Sequence, residues 1–104
     1  MKTLPRADAR ISWRQRDGAY ILVRDMTIMH IINTLSMVVR NVKQILPDLG
    51  PHEQAQVMLQ GDEGETYINM YRELRWKLAE VGVTELPSSV ILNTELLSFV
   101  DADA

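Results

Sequence analysis

The sequence predicts an α+β fold: an N-terminal β-hairpin packed on a small helical bundle of two long helices plus one or two short ones. Three observations carry that reading. Asp17-Gly18 lies between two short stretches of strand-forming residues. Met26 to Leu46 contains no Gly or Pro, and its apolar residues recur at helical spacing. Glu65 to Val81 repeats the helical pattern and closes on Gly82. At 104 residues the chain makes one domain with a modest core.

Residues 1–9 are expected to be a flexible lead-in. Arg10 to Arg14 then alternates polar and apolar residues, and Ala19 to Val23 continues as a second strand. Asp-Gly is a strong hairpin signal, since both central positions of a type I′ turn need positive φ. Ile11 and Trp13 share one hairpin face, opposite either Tyr20 and Leu22 or Ile21 and Val23. Two strands alone are marginal in water. The hairpin must therefore lie on the central helix or pair with another chain.

Asp25 or Thr27 caps the central helix, its side-chain oxygen accepting a free N–H of the first turn. Ile28, Ile32, Leu35, Val39, Val42 and Leu46 form one apolar row. Ile31, Leu35, Val38, Val42 and Ile45 form a second beside it. The arc exceeds the stripe of about 100° on an ordinary surface helix. It therefore predicts cover on more than one side and a homo-oligomer. Pro47 to Pro51 ends the helix, and His52 to Gln60 makes a short helix of its own. Gly61 to Gly64 breaks the chain or forms an exposed bulge, because two glycines make continuous helix costly. In the last long helix Tyr67, Tyr71, Leu74, Leu78 and Val81 lie on one stripe, with Gly82 as the C′ residue. In the tail, either Pro87-Ser88-Ser89 caps a short helix or Val90 to Leu92 forms a strand before a helical Thr94 to Val100. Leu92, Leu96, Leu97, Phe99 and Val100 must dock, on this core or on a neighbour. Residues 101–104 are expected to fray.

Composition narrows the function classes. The absence of cysteine excludes disulfides and thiolate metal sites. Pro5, Asp8 and three basic residues stand where a signal peptide would be apolar. His30, Asn33, Arg40, Asn41, Lys43 and Gln44 make the central helix too polar to span a membrane. A cytoplasmic protein is expected. Residues 1–50 carry eight Lys and Arg against four Asp, whereas residues 51–104 carry three against ten acids. That asymmetry reads as two solvated faces or as complementary surfaces for association. The six aromatic residues are not interleaved with basic ones, which argues against general nucleic-acid binding.

No Gly-rich phosphate loop, Ser elbow, HExxH or cysteine nucleophile is present, so the chain is read as non-enzymatic, with no cofactor and no metal. Asp62, Glu63 and Glu65 lack the alternating ligands of a calcium loop and read as solvated. The candidate ligand-binding residues fall in two groups. His30 and Asn33, one helical turn apart, make a polar ledge for a ligand or partner helix. Alternatively, His30 holds the hairpin near Trp13 and Asp25. Arg72 and Arg75, also one turn apart, can close both guanidinium forks on a phosphate beside Tyr67, Tyr71 and Trp76. Alternatively, Arg72 pairs with Glu65, Glu73 or Glu80 on a solvated face.

The order Trp13, Asp17-Gly18, a β stretch, Asp25-Met26, His30, Asn33, then an apolar helix with Arg40, resembles a small protein type encoded by tailed phages and prophages. Tyr67 to Arg75 is a looser second match. Ile28, Met29 and the acidic insertion at Gly61 to Gly64 depart from the type. The resemblance implies a phage accessory protein that acts by binding in the host cytoplasm. Phage accessory proteins of this size commonly form compact oligomers that block a host factor. One class of them sequesters small anionic, nucleotide-derived signals of host defence, so either target is expected by analogy. A structural or assembly adaptor of a phage is the alternative, and a small hydrolase with His30 as base ranks last.

Overall fold

Asp17-Gly18 reverses the chain by a different route from the expected one. In the computed structural model, which describes residues 4–93 together with Leu96 and Val100, the strands are β1 (Ser12–Arg14) and β2 (Tyr20–Leu22). They pair antiparallel, with Trp13 opposite Ile21 and Arg14 opposite Tyr20. Gly18 donates to the Gln15 carbonyl at 2.9 Å, and Gln15 donates to Ala19 at 2.8 Å. Gly18 has φ of +88°, but no described non-glycine residue has positive φ. The turn is therefore a three-residue loop closed by a left-handed glycine, not a type I′ turn. The Asp17 carboxylate accepts the Ala19 N–H at 2.9 Å, a local bond that closes over the same turn.

The register settles the hairpin's faces. Trp13 and Ile21 turn inward against the core with Ile11, while Tyr20 and Leu22 point outward, 69% and 41% exposed. Val23, wholly buried, starts a 3₁₀ turn that runs to Asp25. Thr27 then caps α1 (Ile28–Ile45), its hydroxyl accepting the His30 N–H at 3.1 Å. Thr27 is the cap, and Asp25 is spent in the preceding turn.

Pro51 occupies the first turn of α2 (Pro51–Gln60), where a missing N–H costs nothing. The Gln54 carboxamide donates back to the Leu46 carbonyl at 2.8 Å, so α2 satisfies a free carbonyl at the end of α1. A corner at Gly61 to Glu63 leads into α3 (Gly64–Glu80). Gly64 is obligatory there, because a Cβ would overlap the Leu59 carbonyl oxygen. At the far end Gly82 (φ +82°) donates to Ala79 at 3.0 Å and Val83 to Leu78 at 2.9 Å, a Schellman closure.

The broad apolar arc of α1 finds its cover within the chain. Helices α2 and α3 and a 3₁₀ turn at Ser88–Val90 all pack on it. Ile31, Leu35, Val38 and Val39 are buried, and Ile28, Ile32 and Val42 are half-buried. Met29 and Ile45 remain exposed, at 61% and 75%. The apolar excess read as demand for a second chain is thus mostly absorbed by α2, α3 and the tail. Of the two tail readings, the strand at Val90 to Leu92 is not formed. Val90 closes the 3₁₀ turn, and Val90, Leu92, Leu96 and Val100 are buried in the chain's own core. Leu97 and Phe99 lie outside the described residues, as do 101–104.

Residues 4–9 also differ from expectation. Ala7 is fully buried, and Arg6, Ala7 and Asp8 each bond a side chain of α3. The lead-in is a strap, held by directional bonds.

Candidate functional site

Helix α3 carries a second stripe that the sequence reading missed: Asn69, Glu73, Trp76 and Lys77, at intervals of four, three and one. Glu73 is wholly buried. Arg6 donates to both of its oxygens, at 3.2 and 2.7 Å, and the Ala7 N–H adds a third bond at 3.2 Å. The Arg6 guanidinium lies 3.8 Å over the Trp76 ring. Its hydrogen bond to Glu73 holds its pKa above the ordinary arginine value. Lys77 Nζ sits 3.7 Å from Glu73 and donates to the Arg24 and Met26 carbonyls. Arg24 returns to the Ala7 carbonyl at 2.6 Å, and Asn69 takes the Asp8 N–H at 2.8 Å. Apart from the Lys77–Glu73 pair within α3, every polar contact in this network joins one part of the chain to another. It is a latch, built on the one buried carboxylate among the described residues.

The phosphate fork foreseen on α3 is not assembled. Tyr71 is fully buried, its hydroxyl donating to the Val90 carbonyl at 2.7 Å, and burial raises its pKa. Arg72 reaches the Val100 carbonyl through Nε at 3.1 Å. The carboxylate nearest it in sequence, Glu73, belongs to Arg6 instead. Arg75, one turn on, lines a cavity of about 590 Å³ that Arg72 does not reach, together with Leu4, Ala79, Val83, Thr84, Glu85, Leu86 and Ile91. Tyr67 bonds Glu63 at 2.8 Å, and its ring lies 6.1 Å from that of Trp13. Burial, then the bond to Glu63, raises its pKa. These four residues therefore face three different surroundings.

His30 and Asn33 fare differently. Both open into one cleft of about 310 Å³ between the hairpin and α1, with Thr34 and Met37 from the helix and Trp13, Gln15 and Arg16 from the hairpin. The helix contributes positions i, i+3, i+4 and i+7, which lie on one face. The inward turn of Trp13 brings the hairpin against that face. Trp13, Gln15 and Arg16 are the residues sequence reasoning did not assign. Trp13 was legible from strand alternation, whereas Arg16 depended on the turn type. The lining offers an aromatic plane, two carboxamides, an imidazole and a guanidinium, with no carboxylate among them. The 590 Å³ cavity is larger but mainly aliphatic, so the hairpin cleft is better equipped for directional recognition.

Among the described residues no group of three or more His, Asp or Glu is placed to hold a metal ion, and no helix is long and apolar enough to cross a membrane. Comparison with known proteins finds no matching family model, no matching curated protein and no matching solved structure.

Proposed function

We propose that this chain is a non-enzymatic binding protein of the phage accessory kind, taking a small planar anion in the cleft between the hairpin and α1. A nucleotide-derived signal is the ligand class that fits. The observation that supports the reading is the meeting of Trp13, Arg16, His30 and Asn33 in one cleft without an acid. Trp13 supplies a surface for a base, and Gln15 and Asn33 can each donate to and accept from its edge. Arg16, at the hairpin tip, meets the phosphate with its planar fork. The volume lies at the small end of the range for small-molecule sites, which suits one base with its phosphates reaching outward.

The test is a thermal-shift series with cyclic di- and trinucleotides. A ligand at a hundred times its Kd stabilises the folded state by about 2.7 kcal/mol. Asn33→Ala and Arg16→Ala should remove the shift while leaving the unliganded melting temperature in place. Arg72→Ala should lower the unliganded value, through its lost bond to Val100, yet keep the ligand response. Silence across the panel, or a response that survives both cleft variants, sinks the reading. Ligand recovered chemically altered would instead favour an enzyme.

A second reading, an assembly adaptor, draws on the outward hairpin face, where Tyr20 and Leu22 stand exposed beside Arg14. Under it Tyr20→Ser should weaken self-association or partner capture. A sedimentation series that finds single chains at every concentration, in wild type and variant alike, removes its self-assembling form.

A further inference from the structure

A separate groove of about 340 Å³ lies where the Ser88–Val90 turn crosses α1, lined by Ser36, Val39, Arg40, Lys43, Gln44 and Ser89. The two serine hydroxyls come from positions 53 residues apart and hydrogen-bond each other at 2.9 Å. Their bond fixes both oxygens at the groove while leaving each further hydrogen-bonding capacity. Arg40 and Lys43 follow one turn apart on the same helix. Like charges at that spacing repel each other. Among the described residues, no carboxylate pairs with either of them.

The chain as a whole carries a formal charge of −3, yet this groove holds two cations, three neutral hydrogen-bonding side chains and no acid. The end of α1 favours a cation in its last turn, which accounts for Lys43. It does not account for Arg40 beside it, nor for the Ser89 hydroxyl that the tail brings against Ser36.

We infer that this groove is a phosphate-binding site, specific for a terminal phosphate monoester. A monoester carries about −1.5 to −2 charge at neutral pH and three strong acceptor oxygens. Arg40 and Lys43 balance that charge, and Ser89 and Gln44 supply neutral donors to the oxygens, with Ser36 holding Ser89 in place by donating to it. A phosphodiester carries a single charge and leaves one cation uncompensated. The site is independent of the hairpin cleft and shares no lining residue with it. Because Ser89 belongs to the tail and the others to α1, a bound phosphate bridges the two.

The experiment is an amide-shift NMR titration of the intact chain at low ionic strength, with inorganic phosphate, ribose 5-phosphate and dimethyl phosphate as probes. Inorganic phosphate and ribose 5-phosphate should perturb residues 36–44 and 88–90 together, with dimethyl phosphate binding at least tenfold more weakly. Arg40→Gln should weaken the monoester about tenfold, as expected for loss of a charge-assisted hydrogen bond. Ser89→Ala should weaken it while leaving residual affinity from the two cations. Asn33→Ala should leave it unchanged, which separates this site from the cleft. Arg40 is exposed and Gln is a good helix former, so that variant keeps its fold. Shifts spread evenly over all basic residues would overturn the assignment. So would equal binding by Arg40→Gln, or by the diester.

Discussion

Replacing Glu73 with Gln tests the latch between the N-terminal strap and α3. The carboxylate is fully buried, whereas the Arg6 side chain is 32% exposed and that of Lys77 is 19% exposed. Gln keeps the shape but removes the charge that both cations face. It also turns an NH2 toward a guanidinium that needs an acceptor. Breaking a buried ion pair from one side costs about 3–5 kcal/mol, because the remaining charge stays desolvated. Arg6 can recover part of its hydration at that exposure, so the lower end, about 3 kcal/mol, is expected. That is a large share of the roughly 5–15 kcal/mol that holds an ordinary domain together. Urea unfolding followed by far-UV circular dichroism should show a lower midpoint with an unchanged slope. The cycle with Arg6→Met separates the pair from its surroundings. The double variant should be clearly more stable than the two single losses added together. A loss below about 1 kcal/mol in Glu73→Gln, or strict additivity in the cycle, would refute the latch.

Other variants probe single elements. Gly64→Ala drives a methyl into the Leu59 carbonyl, and overpacking of this kind costs about 1–3 kcal/mol or more; thermal melts should show a large drop, and an unchanged melting temperature would contradict the corner geometry. Tyr71→Phe removes the bond to Val90 and should cost about 1 kcal/mol, with faster hydrogen exchange in the tail residues that pack with Val90. Asp8 bonds Arg10 through its side chain and accepts the Arg10 N–H, and these bonds lower its pKa from 3.8 to about 2. A carboxyl depressed on folding stabilises above its unfolded value and loses that contribution as pH falls through the folded one. Unfolding measured from pH 5 downward should therefore show a steeper acid loss in the wild type than in Asp8→Asn. Equal slopes would show that the pair with Arg10 does not form in solution.

The local elements were legible because their signals are local. Helices α1 and α3 follow from apolar spacing, which the backbone period converts directly into a buried face. Gly82 closes α3 because only glycine takes the left-handed position freely. The Asp17-Gly18 turn was placed correctly, yet its type rested on backbone angles in the folded chain. The choice of Thr27 over Asp25 as cap also rested on where the preceding 3₁₀ turn ended.

What tertiary structure decided concerns partners distant along the chain. Arg6 and Glu73 are 67 residues apart, and no periodicity joins them. The sequence alone puts Glu73 beside Arg72 and suggests an ordinary exposed pair. Folding instead gives that carboxylate to the strap, which leaves Arg72 to the Val100 carbonyl and dissolves the expected phosphate fork. His30 and Asn33 share a helical face whatever the fold, so their pairing was readable. That Trp13 and Arg16 complete the cleft depends on how the hairpin lies on α1. Spacing determines which residues share a face; only the packed chain determines what that face meets, because long-range contacts are selected by burial and charge together.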